Sequence, residues 1–326
     1  MSYPDITLLP ILAAYFNLSV DELLGYEPQM MKEDIRKLYH ELARRFSSEP
    51  YETVKAECDE YIKKYHACFP LLLQMAVLLL NHFQLAPNPQ EVLEEVTQLL
   101  DCVIENGNDI RLIKEAMMLK GNCCLMMHKP EEILDMLGEQ VQAIPQDQEL
   151  QAMAYQMKGN EEEAKATLQV AMYQHLLSLI GDTAVYVSWE EEASEKTEEI
   201  IRRTLDLMEL FQVEQLHFNV AAQIYLTFAR YDCIAQKPEE AVRLIERYVE
   251  CAVTEELPLK LHGDHYFDKV DDWLAELALG KEAPRSEESV KQSILQSVVG
   301  NPAFECLKEY PHFHHLVKRL EEHCGK

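Results

Sequence analysis

The chain has 326 residues, 48% of them hydrophobic and 27% charged, with a formal net charge of −27. That acidity argues against nonspecific attraction to nucleic acid or anionic membrane, and the apolar content argues against bulk disorder. Ten glycines include no G-x-G-x-x-G or G-x-x-x-x-G-K-[ST] pattern, which disfavours nucleotide-binding α/β folds. Nine cysteines, an odd number with no C-x-x-C pair, read as reduced thiols of an intracellular protein, not a disulfide framework or zinc site. No secretory leader pattern appears, and the longest apolar run, residues 71–80 broken by Gln74, is about half a bilayer span. These features predict an all-α, cytoplasmic, non-enzymatic chain without cofactor or membrane partner.

In chain order, residues 3–17 predict a helix with Leu8, Leu9, Leu12, Ala13 and Phe16 on one face; Pro10 is tolerated if Thr7 is the N-cap. Residues 18–25 follow with a capping box of Ser19 and Glu22, a staple of Leu18 and Leu23, and a stop at Gly25. In order and spacing the pair resembles the last two helices of lambda-repressor-like (XRE-type) helix-turn-helix regulators. The resemblance implies that the three preceding helices, roughly 40 residues with the one that enters the major groove, are missing. Met1 stands where the loop after the recognition helix would be. The expectation is a domain cut by the sequence boundary or a mis-set gene start; the other possibility is a regulator fragment that has lost its reading head. Either way operator DNA is contacted only through the missing helices, and residues 1–26 lack their original cover. The domain division expected is 1–27 for this remnant and 28–326 for a helical sensor and dimerisation region.

An amphipathic helix over residues 33–46 follows, and helical periodicity continues to the end. Turn signals recur roughly every 15 to 25 residues, leaving room for about fifteen helices. The stretch 184–189 has strand character but is flanked by helix formers, and is read as a helix or helix junction. Near copies occur at Lys129-Pro130-Glu131-Glu132-Ile133, Asn160-Glu161-Glu162-Glu163-Ala164 and Lys237-Pro238-Glu239-Glu240-Ala241. Each places acids in a first helical turn, where the helix dipole favours them. The surrounding residues resemble degenerate tetratricopeptide (TPR) repeats. The first carries Gly121, Ile133, Leu137 and Pro145; the second Gly159, Ala164, Leu168 and Ala171; the third Tyr225, Phe228, Ala229, Ala241, Ile245 and Tyr248. The resemblance implies a TPR-like helical-repeat superhelix, an α-solenoid, whose neighbours bury one another's apolar faces.

Eight of the 13 methionines fall between Met117 and Met172. In TPR geometry Met118, Asn122 and Met126 would face the concave surface, as would Met153, Gln156 and Met157, and in the later repeat Gln223 and Arg230. Met suits adaptable apolar grooves, and an amide such as Asn122 can clamp a peptide backbone. The alternative is that these methionines fill gaps between helices. His262, Asp264, His265 and Asp268 could ligate a divalent ion, or form a capped loop leading into a helix over residues 267–277. His312, His314 and His315 are too closely spaced for a defined site, and Cys58 with His66 fits one packed helix stripe. Apolar faces in 290–299 and 313–320 could cap an end or meet a partner.

The expected function is the sensor and dimerisation region of a bacterial transcriptional regulator. It would act as a homodimer and bind a peptide, protein or small-molecule effector in a TPR groove. The alternative is a stand-alone TPR adaptor without a DNA-binding role.

Overall fold

In the computed structural model, residues 5–18, 20–24, 29–254 and 258–325 are described. Among them lie seventeen α-helices and three 3-10 helices, and the only strand-like pairing is an isolated antiparallel bridge between Lys260 and Glu282. The chain is therefore all-α. No described helix is long and apolar enough to cross a membrane. The chain divides into two compact units, Met1–Gln142 and Ala143–Lys326.

The first unit holds α1 (Leu9–Phe16), α2 (Val20–Leu24), α3 (Lys32–Phe46) and α4 (Tyr51–Lys64). It continues with α5 (Phe69–His82), α6 (Pro89–Asn106), α7 (Ile110–Met126) and α8 (Pro130–Leu137). The apolar run 71–80 becomes α5, which is hydrophobic on every side and is packed by α3, α4, α6 and α7. That all-round burial explains why the run shows no amphipathic period. In α3, Ile35, Leu38, Tyr39, Leu42, Ala43 and Phe46 form one buried stripe, with Glu33 and Asp34 at the N-terminal end and Arg44 and Arg45 at the C-terminal end. Arg45 ties this helix to α4 through Glu57 at 2.5 Å and to the intervening turn through Glu49 at 2.7 Å.

At the N-terminus the cap is Asp5, not Thr7. The Asp5 carboxylate accepts from the Thr7 backbone N–H at 2.9 Å and from its hydroxyl at 2.8 Å. A 3-10 turn over Ile6–Leu8 then absorbs the residues expected to begin the α-helix, and Pro10 sits in the first turn of α1, where no N–H bond is lost. In α1 only Ala13 is buried, while Leu8, Leu12 and Phe16 are exposed. Ser19, the Glu22 side chain and Gly25 lie outside the described residues, so the expected capping box and stop fall there.

The second unit holds α9 (Asp147–Met157), α10 (Glu161–Ser188), α11 (Glu195–Leu210), α12 (Val213–Leu216) and α13 (Phe218–Ile234). After these come α14 (Pro238–Thr254), α15 (Asp271–Glu276), α16 (Glu287–Gln296) and α17 (Pro311–Cys324). The stretch 184–189 is the end of α10, with Ala184 and Val187 buried, so its strand-like composition reflects core packing at a helix end. Helix α13 is the centre of this unit: Ile224, Tyr225, Phe228 and Tyr231 are fully enclosed by α10, α14 and the 3-10 helix Pro302–Leu307. The apolar faces of α16 and α17 are buried within the same unit, with α17 packed on α14. They therefore cap this end of the core rather than offer a free surface.

Candidate functional site

The three near-copied segments fold into the same backbone device. At each, a helix ends on a left-handed residue: His128 (φ 56°), Gly159 (φ 78°) and Gln236 (φ 56°). At each, the next residue's N–H returns to a carbonyl one turn back: Lys129 to Cys124 at 2.9 Å, Asn160 to Tyr155 at 2.9 Å and Lys237 to Asp232 at 2.8 Å. The inner bond is also present, from His128 to Leu125, Gly159 to Gln156 and Gln236 to Cys233. This is the Schellman closure, which satisfies the last carbonyls of the first helix and turns the chain into the second.

Aligned on the left-handed residue, the repeats also match in side chains. Gly121, Ala152 and Ala229 share one position in the first helix, and all three are buried. Ile133, Ala164 and Ala241 share one in the second, half-buried in the first case and buried in the others. Gly121 faces α8: a Cβ built on it would lie 3.6 Å from the Met136 methyl. The match fails in two places. Leu137 and Leu168, expected to pack as the large residue of the second helix, are exposed, whereas the equivalent Ile245 is fully buried. Leu137 is the last residue of α8, an eight-residue helix with none of its residues buried.

The candidate groove residues occupy the outward faces of the first helices. Met118 (60% exposed), Asn122 and Met126 (46%) form one stripe along α7. Met153 (59%), Gln156 and Met157 (89%) form another on α9. None of these methionines fills a gap in the core, in contrast to Met75 and Met208, which are buried. Asn122, Met153 and Arg230 hold equivalent register positions, as do Met126 and Met157. Gln223 is exposed on α13, but Arg230 is anchored, its Nη1 donating to the Ser188 carbonyl at 3.1 Å where α10 ends. Favourable charge at a helix C-terminus gives Arg230 a structural task. The α7 stripe belongs to the first unit, and the α9 and α13 residues to the second.

More apolar surface is uncovered nearby than the methionine count alone suggests. Leu125 and Leu134 in the first unit, and Leu150, Leu168, Met172, Leu179 and Trp189 in the second, are all exposed. Sequence reasoning missed these because a leucine on a helix is read as core by default.

The His/Asp cluster is spent on structure. The Asp264 carboxylate accepts from the Tyr266 and Phe267 N–H groups at 2.8 and 2.6 Å, and Asp268 accepts from the Gln169 amide at 2.7 Å. Gly263 is required there, since a Cβ would lie 2.1 Å from the Phe267 carbonyl oxygen. The loop feeds a helix shorter than expected, Asp271–Glu276. Among the described residues no group of three or more His, Cys, Asp or Glu is placed to hold a metal ion.

A further polar knot, invisible in sequence, joins α12, α13 and α14. The Tyr225 hydroxyl donates to Glu214, which also accepts from Arg247 Nε at 2.9 Å, and the Arg247 guanidinium lies 4.8 Å from the Tyr225 ring centroid. Burial and the adjacent carboxylate push the Tyr225 phenol well above its usual range. It stays protonated and holds the short α12 in place. A cleft of about 640 Å³ lies between α11 and the α13–α14 pair. Its residues are spread over three helices, and no motif marks them.

A search of protein families, curated proteins and solved structures finds no match to this chain.

Proposed function

We propose that this chain is the sensor and dimerisation region of a bacterial transcriptional regulator, built from degenerate TPR-like repeats that engage a peptide, protein or small effector. The observation that carries the reading is the repeated junction: three Schellman turns of the same form, two of them preceded by an exposed helix stripe that combines methionines with an amide, with Met126 and Met157 at matching register. Contiguous uncovered apolar side chains on otherwise folded helices mark interaction surfaces. Methionine lets such a surface adapt to its ligand, and the interleaved amides can bond a peptide backbone. The regulator part of the reading rests on the resemblance of residues 3–25 to helix-turn-helix regulators. Dimerisation follows from the two-fold symmetry that such DNA-reading heads require. The contact is expected from the C-terminal half, from Leu216 onward, but not from the apolar faces of α16 and α17, which are buried within their own unit.

The net charge of −27 favours a second reading, a stand-alone TPR adaptor that works by protein contact without DNA. The nucleotide sequence upstream of Met1 separates the two: an in-frame helix-turn-helix supports the regulator, and its absence supports the adaptor. The binding claim is tested by selecting peptides from a random display library against the chain. Selected peptides should lose at least tenfold in affinity for Met118→Glu or for Met153→Glu, the stripe of each unit being tested by itself. Unchanged affinity for both single variants would reject the groove.

A further inference from the structure

The cleft between α11, α13 and α14 has an apolar floor of Ile201, Leu205 and Leu244 under a charged rim. The four cations of the rim are already engaged. Lys237 is held by Glu198 at 2.6 Å, and Arg202 by Glu199 at 2.9 Å and Asp206 at 2.7 Å. Arg243 stands 3.6 Å from Glu240, and Arg247 bonds Glu214 at 2.8 Å. Two acids of the cleft are left over. Glu195 has no ion pair among the described residues. Asp232 is only 8% exposed, yet its carboxylate accepts no hydrogen bond from any described residue.

The Asp232 oxygens are not sealed from solvent but open onto the cleft, so a donor can reach this largely buried carboxylate only from that side. The charges that act on Asp232 are Lys237, Glu240 and Glu198, two of the three like-signed. Burial dominates, and it pushes the carboxyl up to about 6. At neutral pH the cleft thus presents an ionised, under-solvated anion at the edge of an apolar floor. The complementary ligand has a cationic head and a hydrocarbon stem.

We propose that this cleft binds the side chain of a lysine or arginine in a peptide, with Asp232 as the anionic anchor and Ile201, Leu205 and Leu244 packing on the aliphatic stem. Lys and Arg are the side chains that combine such a stem with a permanent positive head. The acidic surroundings of the chain as a whole add attraction for a basic segment. The site is separate from the α7 and α9 stripes and stands or falls independently of them.

The test is calorimetric titration of the full chain at pH 7.5 with three probes: acetyl-Leu-Lys-Leu-amide, the same peptide with norleucine for lysine, and 1,5-diaminopentane. Saturable binding of the lysine peptide, at least tenfold weaker binding of the norleucine peptide, and at least tenfold loss in Asp232→Asn support the proposal. Diaminopentane binding as tightly as the peptide would overturn the peptide assignment in favour of a free amine. Equal binding of the lysine and norleucine peptides, full binding by Asp232→Asn, or no heat at millimolar peptide would overturn the cation site itself. If Asp232→Asn does not fold, the wild-type chain decides. Affinity for the lysine peptide should fall about tenfold between pH 7.5 and pH 5.0, as Asp232 takes up its proton; a pH-independent affinity would overturn the assignment.

Discussion

Replacing Asp232 by asparagine removes the charge at nearly constant volume, and the structure predicts that the folded chain gains stability. The folded-state carboxyl titrates at about 6 against an ordinary value of 3.8. Because the folded value is the higher one, protonation favours the native state. The ionised group costs its full penalty above pH 6, and the penalty vanishes below the unfolded value. The difference of the two values corresponds to at most about 3 kcal/mol at pH 7.5, falling to roughly half of that at pH 5.0. The asparagine amide has its own burial cost, so a net gain of about 1–2 kcal/mol is expected at pH 7.5. Urea denaturation of both proteins at the two pH values measures it. A destabilised variant at pH 7.5 would mean that the carboxylate holds the fold together, and an increment independent of pH would mean that Asp232 does not titrate as described. Either result refutes the reasoning. A gain in stability together with lost cation binding is the signature expected of a residue kept for function.

Four other outcomes follow from the geometry. His128→Gly and Gln236→Gly relieve left-handed strain and should each stabilise by about 0.5–1 kcal/mol, while Gly159→Ala should cost about 1 kcal/mol; equilibrium unfolding reads all three. Gly121→Ala meets only the Met136 methyl at an ordinary 3.6 Å, so it should stabilise α7 by about 0.5–1 kcal/mol, whereas Ala229→Leu, at a fully enclosed position, should cost about 1–3 kcal/mol. Sedimentation at micromolar concentration should show a dimer; a single species near 37.8 kDa, unchanged with concentration, contradicts it. A mobility-shift assay at physiological salt should show no sequence-dependent DNA binding by this chain, and nanomolar, sequence-dependent binding would refute the expectation.

What could be read from the sequence was what depends on local pattern. The all-α class and the three junctions follow from periodicity, Gly scarcity and the repeated K-P-E-E-type turns, and the buried α5 from the apolar run 71–80. Helix lengths did not follow. α8 stops after eight residues at Gly138, whose φ is 82°, whereas α10 runs for 28 straight through Gly181, so a glycine alone does not mark a helix end. The cap at Asp5 was missed because Thr7, also a good cap residue, stood closer to the apolar run. The methionine and amide positions could be placed on helix faces by register alone, and they are exposed there. That Arg230 is tied to the Ser188 carbonyl could not be foreseen, since the partner lies 42 residues away. The Asp232 cleft draws on three helices separated in sequence, and its signal, a buried acid with no donor, exists only in three dimensions.

The most direct test of the central claim is methyl NMR of the chain labelled at the methionine ε-carbons, titrated with a display-selected peptide. If the exposed stripes bind, the signals of at least one of them, Met118 with Met126 on α7 or Met153 with Met157 on α9, shift saturably, while Met75 and Met208, enclosed in the cores, stay in place. Binding that leaves all four exposed methionines unmoved would contradict the account.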